Sequence, residues 1–225
     1  MSSFTFQPIG YLATPFADKF GIPRQPGLAP NALGVLKLLP PYNRSEAVRG
    51  LEDFSHVWLT FVFHQSATDW KPTVRPPRLG GNTRIGVFAS RSPFRPNPIG
   101  LSLVELIKVD TQSGATLTFK GIDLVDGTPI LDIKPYIPYA ESIPDARGGF
   151  ADSPPPELKV VFTPDATARL IPGLRELIED VLKQDPRPAY AHDADRIYGV
   201  RLYQFDVKWR CDGQTACVIA LEKVV

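Results

Sequence analysis

The chain has 225 residues, of which 43% are hydrophobic, so it is long enough and apolar enough to build a folded core. Its formal net charge of +1 gives no general reason to expect binding to nucleic acid or to a membrane surface. The amino-terminal residues lack the pattern of a signal peptide, and no apolar run reaches membrane-spanning length. We therefore expect a cytoplasmic protein without a membrane partner.

Short strands dominate the first two thirds of the sequence. The 24 prolines cluster in loops, which argues against long helices. The run at 56–63 (HVWLTFVF) is apolar on both faces and predicts a central strand. Closely spaced strands with little helix between them favour a mainly β fold, either an antiparallel sheet or a closed barrel. The other predicted strands are 4–12, 34–39, 85–89, 102–109, 116–122 and 130–134.

A basic, proline-rich loop precedes the strand at 102–109. Residues 70–104 contain six Lys or Arg residues and no Asp or Glu. Within this stretch, three prolines in RSPFRPNPIG restrict the backbone around Arg91 and Arg95. A guanidinium on a stiff loop can bind a carboxylate or phosphate at little ordering cost. We predict a binding role for this loop, including Asn97; the alternative is a merely rigid turn. For the whole stretch at 70–104, the alternative is a solvated loop whose arginines pair with acids elsewhere.

A second polar motif follows the strand at 116–122. DGTP at 126–129 is a turn signature that makes Asp126 available as an acceptor, with an Asx-turn as the structural alternative. Lys134 and Tyr136 follow as candidate substrate-binding residues. Because Asp132 and Lys134 fall on one face of a strand, a surface ion pair of little energetic value is the alternative for Lys134.

Two shorter segments add further candidates. FGIPRQPG at 20–27 is another proline-stiffened loop with an arginine, Arg24. His64 and Gln65 stand where the strand at 56–63 ends. A histidine at such a position is more often a structural hydrogen-bond partner than a catalyst.

The C-terminal part of the sequence predicts a separate, small α+β domain. Residues 145–156 (DARGGFADSPPP) have the composition of a linker and divide the chain into domains at 1–150 and 157–225. Thr163 is predicted to cap a helix that continues to about residue 183 and bends or breaks at Pro172-Gly173. Strands at 198–207 and 218–221 are predicted to form a hairpin.

The two cysteines are predicted to be unpaired. Cys211 and Cys217 flank Asp212-Gly213, and a two-residue turn there keeps the cysteines from facing each other. Neither cysteine has partners at the spacing of a metal site, so we expect no metal. The sequence also lacks the glycine-rich fingerprints of common nucleotide-binding folds, so a doubly wound nucleotide-binding domain is not indicated.

Several segments are long enough to compare with known families. They are RQPGL (24–28), LEDFSHVWLTFVFH (51–64), RIGVFASRSPFRPNPIGLS (84–102) and GIDLVDGTPILDIKPYIPYAES (121–142). Together they resemble the TsaA-like (TrmO) family. DPRPAY (185–190) and YGVRLYQFDVKW (198–209) are similar to the C-terminal domain of its bacterial members. The resemblance implies a single-sheet antiparallel β-barrel methyltransferase that acts as a homodimer and uses S-adenosylmethionine.

The same resemblance implies a substrate and a set of site residues. The substrate is N6 of threonylcarbamoyladenosine next to the tRNA anticodon. The implied cofactor-facing residues are Arg24, Gln25, Pro26, His64, Gln65, Arg95, Leu103, Asp126, Gly127 and Thr128.

Chemistry adds roles for the substrate side. N6 must lose a proton on methylation, and Asp126 is our candidate acceptor. The threonyl carboxylate needs a cation, for which we choose Arg91. The candidate substrate-binding residues are Arg91, Asn97, Lys134 and Tyr136.

Two other functions fit parts of this pattern. A non-catalytic RNA-binding module would use the basic loop, with Tyr136 and Tyr139 as a stacking surface. A methyltransferase acting on another carboxylate-bearing small molecule would use the same arginines. Saturable binding of S-adenosylmethionine separates an enzyme from the first alternative, and loss of activity when free nucleoside replaces tRNA disfavours the second.

Overall fold

Eight strands make up the first part of the chain. The computed structural model describes residues 3–66, 69–188 and 193–224. Six strands close into a barrel in the order β1-β2-β7-β6-β3-β8, while β4 and β5 pair separately. The strands are β1 (Gly10–Ala13), β2 (Leu33–Leu38), β3 (His56–Val62), β4 (Thr73–Val74), β5 (Ile85–Gly86), β6 (Ile99–Asp110), β7 (Thr116–Lys120) and β8 (Thr128–Pro135). The helical elements between and after them are α1 (Ser45–Val48), α2 (Pro138–Glu141) and 3₁₀ turns at Leu51–Asp53, Pro77–Leu79 and Val87–Ala89.

The closed barrel confirms the mainly β prediction. β3 pairs antiparallel with β6 on one side and with β8 on the other, but every strand of a closed barrel has two neighbours, so β3 is no more central than the others. Alternate side chains of β3 point into the barrel, where Val57, Leu59 and Phe61 are buried. Its outward side chains are only partly buried, so β3 has one core face rather than two.

Three predicted strands extend two or more residues beyond the observed strands. The strand expected at 4–12 begins only at Gly10. The strand expected at 85–89 ends at Gly86, because the Ser90 N–H donates to Val87 O at 3.2 Å and the chain turns into a 3₁₀ conformation. The strand expected at 116–122 ends at Lys120, since Gly121 has a φ of 73°, a left-handed value that interrupts the extended backbone.

A four-stranded mixed sheet and two helices form the C-terminal part. Its elements are β9 (Lys159–Phe162), α3 (Pro164–Ala168), α4 (Leu174–Lys183), β10 (Tyr198–Leu202), β11 (Phe205–Asp212) and β12 (Thr215–Lys223). The strand order is β10-β11-β12-β9, and β9 is parallel to β12. Thr163 Oγ1 accepts a hydrogen bond from the Ala166 N–H at 3.3 Å, which confirms the predicted cap. Gly173, with a φ of 77°, stands between α3 and α4, so the predicted helix is interrupted.

The C-terminal strands differ from the predicted hairpin in one place. The strand expected at 198–207 is two strands, because β10 ends at Leu202 and Tyr203 adopts a φ of 52° in a turn. In the register of β11 and β12, Cys211 pairs with Ala216, whereas Cys217 pairs with Arg210. Both cysteines are free, as predicted.

Packing divides the chain into two compact units that alternate along the sequence. The first comprises residues up to Ala13, Gly34–Lys120 and Gly127–Ala146. The second comprises Thr14–Leu33, Gly121–Asp126 and the chain from Arg147 onward. The buried core of the second unit therefore includes Phe16, Ala29 and Ala32 from the N-terminal third of the sequence. The division into sequence domains at 1–150 and 157–225, with a linker at 145–156, remains a proposal.

Two features are absent from the part of the chain that the structure describes. No helix there is long and apolar enough to cross a membrane. No group of three or more His, Cys, Asp or Glu side chains there is placed to hold a metal ion.

Candidate active site

The proline-rich loop before β6 is held by local hydrogen bonds. Ser90 Oγ donates to Val87 O at 2.8 Å, and the Ser92 N–H donates to Ser90 Oγ at 3.2 Å. Arg95 Nη1 donates to Ser90 O at 2.7 Å and to Val87 O at 3.3 Å. The guanidinium carbon of Arg95 also lies 5.7 Å from the centre of the Phe88 ring. One edge of Arg95 therefore organises the loop itself, which adds to the stiffness expected from the prolines.

The candidate substrate residues Arg91 and Asn97 lie on the outside of this loop. Both side chains are exposed, whereas Arg95 is half-buried. The Ile99 N–H donates to Asn97 O at 2.7 Å where the loop joins β6. The loop thus presents Arg91 to solvent from a fixed backbone. A contact between Arg95 and a cofactor stays a proposal, because the hydrogen bonds of Nη1 are made within the loop.

The end of β3 and the proline-rich loop come together. The Phe63 N–H donates to Pro98 O at 2.8 Å. This bond brings His64 and Gln65, both exposed, beside the part of the loop that contains Asn97. Two motifs that are separate in the sequence are therefore neighbours in the first unit.

Trp58, which was not among the predicted site residues, lies at the centre of a surface on the outside of the barrel. In strand register it lies between Leu103 of β6 and Lys134 of β8. The Tyr136 ring meets it edge-on at 6.3 Å between ring centres. Trp58 Nε1 donates to a carboxylate oxygen of Glu141 in α2. Three predicted site residues therefore surround one indole, and a tryptophan at an outward strand position was the signal that could have identified it.

Lys134 makes the ion pair that was its structural alternative. Its Nζ lies 2.5 Å from Asp132 Oδ2, which confirms that prediction. The two side chains are 70% and 48% exposed, so the pair contributes no more than about 1 kcal/mol. Because this ion pair is weak, an anionic substrate group could replace Asp132 as the partner of Lys134 at a small cost in free energy.

Residues 70–95, here named the basic excursion, leave β3 and return before β6. Three of its cations form no ion pair with an acid in the described residues: Lys71, Arg75 and Arg84. Two aromatic side chains of the same segment, Trp70 and Phe88, are 52% and 73% exposed. For Arg75 and Arg84, the alternative of pairing with acids elsewhere is therefore wrong within the part of the chain that the structure describes. The surface suits an anionic partner with flat, stackable groups.

The turn at Asp126-Gly127-Thr128 is fixed by both backbone and carboxylate. Asp126 Oδ1 accepts from the Thr14 N–H at 2.8 Å, and the Asp126 N–H donates to Phe16 O at 2.8 Å. Gly127 has a φ of 74°, a left-handed value that favours glycine. Thr128, at the start of β8, is buried. Asp126 is thus an acceptor, but for Thr14 rather than for its own turn as the Asx-turn alternative expected.

The RQPG loop belongs to the second unit. Arg24 and Gln25 are exposed and Pro26 is half-buried. The Gly27 N–H donates to Gly121 O at 2.9 Å. This bond joins the loop to the segment that ends at Asp126, so the structure brings these candidates of the second unit onto connected segments.

An open depression of about 470 Å³ lies elsewhere on the first unit. It is lined by Tyr11, Lys37, Leu38, Leu39, Pro40, Asn43 and Ser113. None of the predicted site residues is among them. We therefore do not place the candidate site there.

Two family profiles match most of the chain. Residues 11–142 match the tRNA-methyltransferase O N-terminal domain, and residues 155–224 match the TrmO C-terminal domain. The chain belongs to the TrmO family. Every predicted site residue lies within the match to the TrmO N-terminal domain.

Relatives of the TrmO family match the chain over nearly its full length. It is 52% identical, over 99% of both chains, to a protein of Escherichia coli (strain K12) named tRNA (adenine(37)-N6)-methyltransferase. It is 53% identical, over 90% of both chains, to a Pseudomonas aeruginosa protein named putative S-adenosylmethionine-dependent methyltransferase RcsF. A crystal structure of TrmO from Pseudomonas aeruginosa matches with a TM-score of 0.84 at 43% identity, covering 98% of this chain and 99% of that chain.

Proposed function

We propose that this chain is an S-adenosylmethionine-dependent methyltransferase that methylates N6 of adenosine 37 in tRNA, with the threonylcarbamoylated base as the acceptor. The observation that carries the proposal is the 52% identity, over 99% of both chains, to the Escherichia coli tRNA (adenine(37)-N6)-methyltransferase. The roles of individual residues rest on the contacts of the described side chains.

The candidate residues suit a ligand with a carboxylate, cationic groups and an adenine. Arg24 is an exposed guanidinium on a proline-stiffened loop and would bind the carboxylate. The carboxylate and backbone oxygens of the Asp126 turn would face the cationic groups. When bound, S-adenosylmethionine supplies the methyl group from its sulfonium. The proposed cofactor residues are Arg24, Gln25, Pro26, His64, Gln65, Arg95, Leu103, Asp126, Gly127 and Thr128.

Asp126 is the proposed acceptor of the proton that leaves N6. The Thr14 N–H holds its Oδ1 at 2.8 Å, which fixes the orientation of the carboxylate. Its Oδ2 has no hydrogen-bond partner in the described residues. A carboxylate that is fixed by one oxygen and open at the other can take a proton from a positioned nitrogen.

Two surfaces support binding of a modified anticodon loop. Arg91, exposed on the stiff loop, is proposed to bind the threonyl carboxylate. The basic excursion, with its exposed Trp70 and Phe88 and with Lys71, Arg75 and Arg84, which form no ion pair with an acid in the described residues, is proposed to bind phosphates and stack on bases. Asn97, Lys134 and Tyr136 complete the proposed substrate contacts.

The proposal includes a homodimer in the cytoplasm, where tRNA is modified. Two apolar side chains on the outside of β6 leave area for a second copy to cover, since Leu101 is 54% and Ile107 47% exposed. Sedimentation equilibrium checks this part, and a monomer at micromolar concentration would remove it.

Nucleoside mass spectrometry tests the activity. The purified protein is incubated with S-adenosylmethionine and with tRNA from cells that lack this methyltransferase, and we expect N6-methylated threonylcarbamoyladenosine. The same tRNA made by transcription, without modified bases, is the matched control and should give no product. Equal methylation of both tRNAs would overturn the proposed acceptor, and absence of saturable donor binding would favour the RNA-binding module instead.

A further inference from the structure

The segment that contains Arg24 and Gln25 is folded into the core of the C-terminal sheet and helices. Phe16 is fully buried in that core and forms an antiparallel bridge with Leu202 at the end of β10. The Tyr203 N–H donates to Pro15 O at 2.8 Å. The proposed donor-binding loop of the N-terminal sequence therefore begins on C-terminal residues.

Gly21 shows how closely the loop approaches the sheet. Its φ is 87°, which favours glycine, and a Cβ at this position would overlap the Cγ2 methyl of Val200. A larger residue at position 21 would push the loop away from β10.

At its other end, the loop is held by a charged group of α4. Asp180 Oδ2 accepts from the Asn31 N–H at 2.8 Å and from Asn31 Nδ2 at 2.9 Å. Asp180 is only 6% exposed, and its second oxygen accepts from Lys183 Nζ at 3.0 Å. Hydrogen bonds to a buried carboxylate are among the stronger ones in proteins, so this contact fixes the end of the loop.

The charge of Arg24 in this loop also acts on a charged pair in the C-terminal part of the chain, Asp185 and Arg187. Burial raises the pKa of Asp185, but the hydrogen bond and charge of Arg187, together with the charge of Arg24, bring it below its ordinary value. The charge of Arg24 thus contributes to lowering the pKa of Asp185, though less than Arg187 does.

We propose that Asp180 is a positioning residue for the methyl donor: through Asn31 it keeps the loop at 20–31 in the shape that presents Arg24 and Gln25. The inference rests on the proposed function, in which this loop binds the donor. According to this proposal, helix α4 of the C-terminal part contributes to the affinity for the methyl donor. Asp180 acts only through Asn31.

Asn31→Asp is the primary test, because it sets a second carboxylate against Asp180 and removes the side-chain donor. Asn31 is exposed, so no core residue is lost. We expect amide hydrogen exchange at 22–31 to accelerate by roughly tenfold or more. The dissociation constant of S-adenosylmethionine, measured by calorimetry without tRNA, should rise by a similar factor because fewer molecules have the binding-competent loop. The KM for the donor should rise, while kcat at saturating donor stays within about twofold.

Two further variants separate positioning from misfolding. Asn31→Asp combined with Asp180→Asn removes the repulsion between the two carboxylates, but the N–H of residue 31 still needs the acceptor that Asp180 Oδ2 supplied, so exchange and affinity should recover only in part. Lys183→Met removes the other contact of Asp180 and should leave exchange at 22–31 unchanged. If amide hydrogen exchange at 22–31 is unchanged in Asn31→Asp, the contact with Asp180 does not hold the loop. If exchange is faster but the affinity for S-adenosylmethionine is unchanged, Asp180 has no positioning role. Absence of saturable donor binding to the unaltered protein would overturn the proposed function instead.

Discussion

Gly100 of β6 lies directly opposite Phe61 of β3, and the aromatic ring occupies the space that a side chain at position 100 would need. Phe61 is only 5% exposed and points into the barrel. A Cβ on Gly100 would overlap three atoms of the ring. Packing at this point of the barrel interior therefore requires a residue without a side chain opposite Phe61.

Gly100→Ala should destabilise the protein. The added methyl group forces the Phe61 ring or the two strands apart, at a cost of roughly 1–3 kcal/mol in the free energy of unfolding. Urea denaturation measures this change. Gly86→Ala is the matched control, because no atom lies within 4 Å of the Cβ position there and its φ is ordinary for a side chain. Equal stability of the two variants would contradict the packing argument.

Arg91→Glu should reduce methylation of threonylcarbamoylated tRNA. If Arg91 binds the threonyl carboxylate, reversing its charge should lower kcat/KM by roughly 10- to 100-fold or more. Donor affinity should not change, since Arg91 is assigned to the substrate. Arg91→Lys keeps the positive charge but loses the planar guanidinium. Its kcat/KM should lie between those of Arg91→Glu and the unaltered protein. A charge-reversed protein with the normal rate would remove the assignment.

Asp126→Asn should lower kcat while keeping the fold. The amide oxygen can still accept the Thr14 N–H, which Asp126 Oδ1 accepts at 2.8 Å, but it cannot take a proton. We expect a loss of about 10²- to 10⁴-fold in kcat with an unchanged melting temperature. Asp126→Ala, which also loses the bond to Thr14, should lower the melting temperature as well. A nearly normal rate for Asp126→Asn would assign the proton to another group or to water.

Neutralising the basic excursion should weaken tRNA binding in a salt-dependent way. Arg75→Gln and Arg84→Gln each remove a cation without an acidic partner in the described residues. If each contacts one phosphate, the slope of log K against log salt should fall by about one per variant. Arg44→Gln is the control, since Arg44 lies 3.9 Å from Glu46 in a surface pair. Salt slopes equal to that of the unaltered protein would exclude these phosphate contacts.

The Asp185–Arg187 pair should make stability depend on pH in the acid range. The folded pKa of Asp185 lies below the ordinary value of 3.8, because the hydrogen bond and charge of Arg187 outweigh the burial that raises it. The contribution is therefore complete above pH 3.8 and is lost as the pH falls through the folded pKa. Asp185→Asn should lower the melting temperature equally at pH 7 and pH 5, with a difference that narrows below about pH 4. If the difference in melting temperature between Asp185→Asn and the unaltered protein stays constant as the pH falls, the stabilisation does not depend on the charge of Asp185.

Local pattern accounts for much of the barrel. β2 alternates exposed and buried residues, and β3 alternates partly exposed and buried ones, so a period of two was enough to predict both strands. The failures occur at turns that the residue pattern does not mark. The predicted strand at 85–89 stops because Ser90 bonds to Val87 O, and the turn at Tyr203 has no glycine to mark it.

The candidate site was less accessible to local pattern. Proline spacing predicted a stiff loop around Arg91 and Arg95, but not that Arg95 bonds to its own loop. Trp58 was missed because its neighbours Leu103 and Lys134 meet it only through strand pairing. Asp180 could not be found from the sequence, since its partner Asn31 is far away in the chain.

The burial of Phe16 against Leu202 also has a consequence for synthesis on the ribosome. Leu202, its bridge partner at the end of β10, is synthesised long after Phe16. At elongation rates of about 5–20 residues per second, that delay is on the order of ten seconds or more. An apolar segment is exposed throughout that time, so nascent chains of this protein should be clients of ribosome-associated chaperones.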